Sequence, residues 1–153
     1  MESHVFFLSR WFRNPLTVAS IAPSSRYLAR AMARSLPTSK GWIVELGGGT
    51  GSITRALLAH GVPPDNLLVV ERDAKLCDYL RRHFPGVRVL NGDACHLAEL
   101  LRAEGITEPV KAIVSGLPIL IMEHEQQLAI MRAAFQVMEE DGRFIQFTYG
   151  PRP

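Results

Sequence analysis

No stretch of this 153-residue chain stays apolar long enough to cross a bilayer. The most hydrophobic one, AIVSGLPILIM from Ala112 to Met122, is too short and is broken by Gly116 and Pro118. Cysteine is scarce. Cys77 and Cys95 make neither a Cys-x-x-Cys pair nor a Cys/His metal spacing, which argues against a disulfide framework or a zinc module. Two free thiols in a reducing cytoplasm are the expectation. His4, His60, His83, His96 and His124 show no ligand spacing, so no metal is expected. The front of the chain has no small-residue cleavage site and no uninterrupted apolar core, so no secretory leader is read there. Internal repeats and low-complexity tracts are also missing. The length suits one domain, able to bury roughly 70% of the surface its unfolded chain exposes.

Negative charge is scarce at the front. Residues 1–40 hold six Lys/Arg and one acid, Glu2, whereas residues 41–153 hold eleven Lys/Arg and fourteen acids. A balance of +5 followed by one of −3 implies that the front end meets something anionic. The division also suggests two parts: helices over 1–40, and a core over 41–153.

From Trp42 onward, short apolar runs alternate with helix-length segments. WIVEL (42–46), LLVVE (67–71), VRVLN (87–91), VKAIVS (110–115) and RFIQFTY (143–149) read as strands. Helices are expected over Thr50–His60, Ala74–His83, His96–Ala103 and Met122–Met138, the last stopping near Asp141-Gly142. This alternation predicts an α/β fold: a mostly parallel sheet with helices on both faces. Ahead of it, Ser24–Leu36 reads as a helix carrying Arg26, Arg30 and Arg34 on one side.

The first strand runs into ELGGGTGSIT (45–54). In an open parallel sheet, ligands bind beyond the carboxyl ends of the strands, where the strand order reverses. Glycine there lets backbone approach a ligand closely. Gly47, Gly49 and Gly51 do not match Gly-x-Gly-x-x-Gly, whose third glycine would fall on Ser52. No Lys-Ser/Thr pair follows, so the loop is not a Walker phosphate loop. Three acids surround it. Glu45 stands at the loop entrance, where it can face a cationic amino group. Glu71 ends the second strand, where a carboxylate can accept both hydroxyls of a ribose. Asp93, in NGDA, can accept from an adenine amino group. A ligand with an adenosine, an amino-acid cation and no phosphate satisfies all three.

VELGGGTGS, VVERD and NGDA, in that order and spacing, resemble the S-adenosylmethionine-dependent methyltransferases of the Rossmann-like class. The resemblance implies S-adenosylmethionine as cofactor and S-adenosylhomocysteine as product. It implies a cofactor site made by Glu45, Gly47, Gly48, Gly49, Gly51, Glu71, Arg72, Asp93, Ala94 and Ser115. The run FFLSRWFRNPLTVASIAPSSRYLARAM, together with SGLPIL (115–120) and FTYGP (147–151), is similar to the bacterial phospholipid N-methyltransferases, which methylate phosphatidylethanolamine toward phosphatidylcholine. Related rRNA adenine dimethyltransferases share part of the pattern.

In amine methyltransferases the position of Ser115, Gly116 and Leu117 supplies backbone carbonyls and a polar side chain that orient the acceptor nitrogen. Enzymes acting on nucleobases usually place a ring after the proline to stack on the flipped base. Here Ile119 follows Pro118, which favours an aliphatic amine. A proton acceptor is also expected, with Tyr149 and Tyr27 as candidates; either can instead hold an ammonium through its ring. At the front, Phe7, Leu8, Trp11 and Phe12 share one helical face while Ser9, Arg10 and Arg13 lie opposite, and Phe6 is off the pattern. That is the layout of a helix lying in a membrane interface, basic side toward anionic head groups; a lid packed over the cofactor is the competing reading. The expected location is the inner face of the cytoplasmic membrane.

Two rival functions remain. An RNA adenine methyltransferase would put the Arg26/Arg30/Arg34 stripe on phosphates, although nucleic acid is the disfavoured partner. A non-catalytic cofactor-binding module is the other. Related folds continue past the fifth strand with two more strands, so a fragment lacking its C-terminal strands, or a homodimer covering the apolar edge, is expected.

Overall fold

The computed structural model describes residues 36–37 and 41–147. The expected N-terminal helices lie outside these residues, as do the last residues of the fifth predicted strand. Five strands form one sheet: β1 (Trp42–Leu46), β2 (Leu67–Glu71), β3 (Arg88–Asn91), β4 (Val110–Ser115) and β5 (Met138–Gln146). Their order is β3-β2-β1-β4-β5, and every neighbouring pair is parallel. Helices α1 (Ser52–His60), α2 (Ala74–His83), α3 (Leu97–Ala103) and α4 (His124–Val137) connect them.

The sheet is buried on both faces, which is why its strands read as unbroken apolar runs rather than alternations. Leu67, Leu68, Val69 and Val70 are all buried. One set of side chains, including Ile43, Val69 and Val114, packs with Ile53 and Leu57 of α1 and Cys77 and Leu80 of α2. The alternate set, including Val44, Leu46, Ile113 and Phe144, packs with Leu97 and Leu101 of α3 and Ile130 and Ala134 of α4. Each Val, Leu, Ile or Phe among them contributes roughly 1.5–3 kcal/mol on burial. α2 is capped by Asp73, whose carboxylate accepts from the N–H groups of Lys75 and Leu76 at 2.8 and 3.0 Å, and Arg81, Arg82 and His83 sit at its opposite end, where the helix dipole favours cations.

Several element boundaries shift by one to five residues from the sequence pattern, and two of these shifts have a clear local cause. α1 begins at Ser52 rather than Thr50, because Gly51 stands at its N-cap in a left-handed conformation, φ 91°. The expected helix to Met138 ends at Val137, and strand pairing starts at once. Val110 pairs with Met138 and Ala112 with Arg143, so Lys111 alone faces the excursion Glu139–Gly142. Met138 joins the ladder because its side chain packs on the α3/α4 core. A 2.6 Å ion pair between Lys111 and Glu139 closes the bulge.

Gly51 also permits a close approach. A Cβ there would lie 2.3 Å from Cε2 of Phe84. Gly61, φ 111°, has nothing within 4 Å of the same position. Gly61→Ala is therefore expected to cost only the backbone term of about 1–2 kcal/mol. Gly51→Ala should cost roughly 1–3 kcal/mol more, from overpacking. Urea midpoints of the two variants measure the difference; equal midpoints would exclude the Phe84 contact as the reason for the glycine.

Candidate active site

The chain adds β2 and β3 outward from β1, then returns to the other side of β1 with β4. The crevice of the sheet therefore lies beyond the carboxyl ends of β1 and β4. Backbone bonds fix where each loop leaves the sheet. Gly47 N–H donates to Val70 at 2.8 Å, Gly92 N–H to Glu71 at 3.0 Å, and Gly116 N–H to Leu46 at 2.9 Å.

The glycines divide the work of the first loop. A Cβ on Gly48 would strike Val69 and Leu80 at 2.5 and 2.7 Å, so this residue lies against the sheet and α2. A Cβ on Gly47 would meet Leu117 at 2.7 Å. Gly49, φ 54°, has open space where a side chain would stand. Glu71 ties this loop to β2: Oε1 accepts from Gly49 N–H at 2.9 Å and Oε2 from Asp73 N–H at 2.7 Å. An ionised carboxylate has about four acceptor positions, so two remain. Asp93 accepts from Cys95 N–H at 2.8 Å. That bond holds its carboxyl below the usual carboxylate range, while burial and the Asp93 charge push the Cys95 thiol up.

Glu71, Arg72, Asp93 and Ala94 border one cavity of about 180 Å³ with Gly47 and Gly92. Val70, Leu117, Met122 and Ile130 make its walls apolar, and Gln126 completes the lining. A flat apolar base with a polar edge, joined to a diol, suits such a set: apolar walls, two carboxylates with acceptor capacity, and backbone left bare by glycine.

Glu45 is placed differently from expectation. It lies fully buried beneath the loop, with Oε1 accepting from the Thr54 hydroxyl at 2.6 Å. Oε2 is buried with no hydrogen-bond partner among the described residues. Burial pushes its pKa from 4.5 up to about 8, with the Glu71 charge adding to the rise and the Thr54 bond opposing it.

No family model matches the chain. It is 35% identical to the ornithine lipid N-methyltransferase of Singulisphaera acidiphila, over 99% of this chain and 80% of that protein. The chain belongs to the family of that N-methyltransferase. It is an S-adenosylmethionine-dependent methyltransferase with a Rossmann-like fold. A more partial likeness links it to the ribosomal RNA small subunit methyltransferase A of Myxococcus xanthus, 35% identical over 64% of this chain and 35% of that one. Among solved structures, the TehB-like SAM-dependent methyltransferase of Corynebacterium glutamicum superposes with a TM-score of 0.57 at 20% identity, over 95% of this chain and 73% of that one.

In this methyltransferase the SGLPIL segment is locked from below. Ser115 and Gln146 are register partners across β4 and β5. Between them they hold both ends of residue 117: Leu117 N–H donates to Ser115 Oγ at 3.3 Å, and Gln146 Nε2 donates to the Leu117 carbonyl at 2.7 Å. Gln127 of α4 reaches back to the carbonyls of Ile119 and Met122 at 2.7 and 3.0 Å. Ile119 is buried, whereas Leu120 and Ile121 are 71% and 85% exposed. The Ser115 hydroxyl is thus engaged within the loop itself.

Gln126, Gln127, Gln146, Met122 and Thr54 are the contributors that the sequence pattern did not single out. For Gln146 a signal exists: it shares the alternation of Phe144, an inward residue of β5. Tyr149, Tyr27 and the proposed membrane face of Phe7, Leu8, Arg10, Trp11, Phe12 and Arg13 lie outside the described residues. Among the described residues no cluster of His, Cys, Asp and Glu is gathered in metal-binding geometry, and no helix is long and apolar enough to cross a membrane.

Proposed function

We propose that this methyltransferase methylates the primary aliphatic amine of a membrane-lipid head group, of the kind carried by phosphatidylethanolamine and by ornithine lipids. The observation that carries this reading is the residue after Pro118. Ile119 turns into the core and offers no ring to a planar base, while Leu120 and Ile121 present an apolar surface beside the site. The family relative that spans nearly the whole chain is named for a lipid amine, which supports the same class of acceptor.

When bound, S-adenosylmethionine supplies a methyl group on a positively charged sulfur. Glu71 would hold the ribose hydroxyls and Asp93 the adenine amino group, with Arg72 and Ala94 flanking the base. The bare backbone of Gly47, Gly48, Gly49 and Gly51 would receive the amino-acid portion, and the buried Glu45 carboxyl, bonded to Thr54, would support the loop from beneath. On the acceptor side, the carbonyls of Gly116 and Leu117 orient the amine. Alignment and exclusion of water do most of the catalytic work in such a transfer. The acceptor must shed a proton, which the phenolate form of Tyr149 or Tyr27 would receive. The face of Phe7, Leu8, Trp11 and Phe12, with Arg10 and Arg13, would dock the enzyme on anionic lipid.

Methyl transfer from labelled S-adenosylmethionine tests the reading. The purified protein is offered phosphatidylethanolamine vesicles, ornithine-lipid vesicles and unmodified rRNA in separate reactions. Label in a lipid fraction is the expected result, and its distribution between the two lipids assigns the head group. Label in RNA alone would overturn the proposal and make Arg26, Arg30 and Arg34 the important surface.

A further inference from the structure

Two neighbouring glutamines open α4, and their amides are used differently. Gln127 is committed, with its Nε2 shared between the carbonyls of Ile119 and Met122. Gln126 borders the cavity that Asp93 and Ala94 line, is half-buried, and its side-chain amide makes no hydrogen bond within the described residues. Its neighbours on that wall, Met122 and Ile130, are apolar. Among the described residues its amide has no partner, so its donor and its acceptor remain available to a ligand in the cavity. α4 packs on the turn Ala94–His96, so the amide stands on the element that closes the cavity over Asp93 and Ala94.

Adenine offers its amino group two hydrogens, one on the N1 side and one beside N7. A single carboxylate, Asp93, can take one of them. The other, with the N7 acceptor next to it, forms a donor–acceptor pair that a glutamine amide matches in bidentate fashion, as in the reading of adenine in nucleic acids. We infer that Gln126 reads the N6/N7 edge of the cofactor's adenine, opposite Asp93, and so makes this site selective for an intact purine.

Binding of S-adenosylhomocysteine to the full chain, followed by calorimetry, tests this without any acceptor, so the outcome is independent of the lipid reading. The second ligand is the 7-deaza analogue, in which carbon replaces N7. The wild-type protein is expected to bind the analogue about tenfold more weakly. Gln126→Leu should bind S-adenosylhomocysteine about tenfold more weakly and should no longer distinguish the two ligands. Gln126→Glu keeps the acceptor for the amino group and sets a carboxylate oxygen against N7, so its preference should shift toward the analogue. Circular dichroism confirms that the variants are folded. Undiminished affinity of Gln126→Leu for S-adenosylhomocysteine, or the same 7-deaza penalty in wild type and both variants, would overturn the inference.

Discussion

Glu71→Ala is expected to raise the dissociation constant for S-adenosylhomocysteine by at least about 100-fold and to abolish methyl transfer at ordinary cofactor concentrations. Two losses combine. The carboxylate would no longer meet the ribose hydroxyls, and hydrogen bonds to a charged group contribute about 1.5–3 kcal/mol each. It would also no longer hold Gly49, whose N–H sits 2.9 Å from Oε1. Glu71→Gln separates the two. Its amide can keep one acceptor, but its NH₂ must face the N–H of either Gly49 or Asp73, donor against donor. Gln should therefore fail nearly as badly as Ala. Calorimetry on both variants decides, and an Ala variant within fivefold of wild type would remove Glu71 from the cofactor site.

The second large effect concerns pH. In the folded chain the Glu45 carboxyl titrates at about 8, against 4.5 ordinarily. Between those values the folded state keeps a proton that the unfolded chain has released, so stability falls as pH rises through the window and changes little from this source below about 4.5. The slope approaches about 1.4 kcal/mol per pH unit, and the loss from pH 5 to pH 8 reaches up to about 4 kcal/mol. Glu45→Gln has no proton to lose. Its urea midpoint should stay nearly level from pH 5.5 to pH 8 while that of the wild type declines. Parallel declines would mean that Glu45 titrates alike in the folded and unfolded chain, and would overturn this account of its burial.

Much of this was legible in residues. The bounds of β1 and β2 follow from WIVEL and LLVVE, because strands buried on both faces stand out against glycine and proline on either side. Glu71 and Asp93 were locatable because an acid that closes an apolar strand must stand at the sheet's edge. The passage from α4 to β5 was not legible. MEEDG reads as a helix end and turn, and only the pairing of Val110 with Met138 turns it into a bulged strand. The glutamines were hidden for a different reason. In a helix, Gln126 and Gln127 look like any solvated pair, and their roles appear only when α4 is laid over the crevice. The orientation of Glu45 was not legible from its position before the glycines: its place in the alternation with Ile43 turns it under the loop, toward Thr54 of α1.

The position of β1 at the centre of the sheet has a consequence for the order of assembly. β1, β2 and β3 succeed one another along the chain and can pair as they emerge. The crevice cannot form with them, because its second wall arrives only when β4 inserts on the other side of β1, matching Ile43 with Ala112. That closure joins distant parts of the chain and is entropically the slower one. A half-assembled chain therefore offers the cofactor only one wall, and cofactor binding favours the completed sheet over every partly folded form. The molecule's ligand thus acts as a check on its own completion.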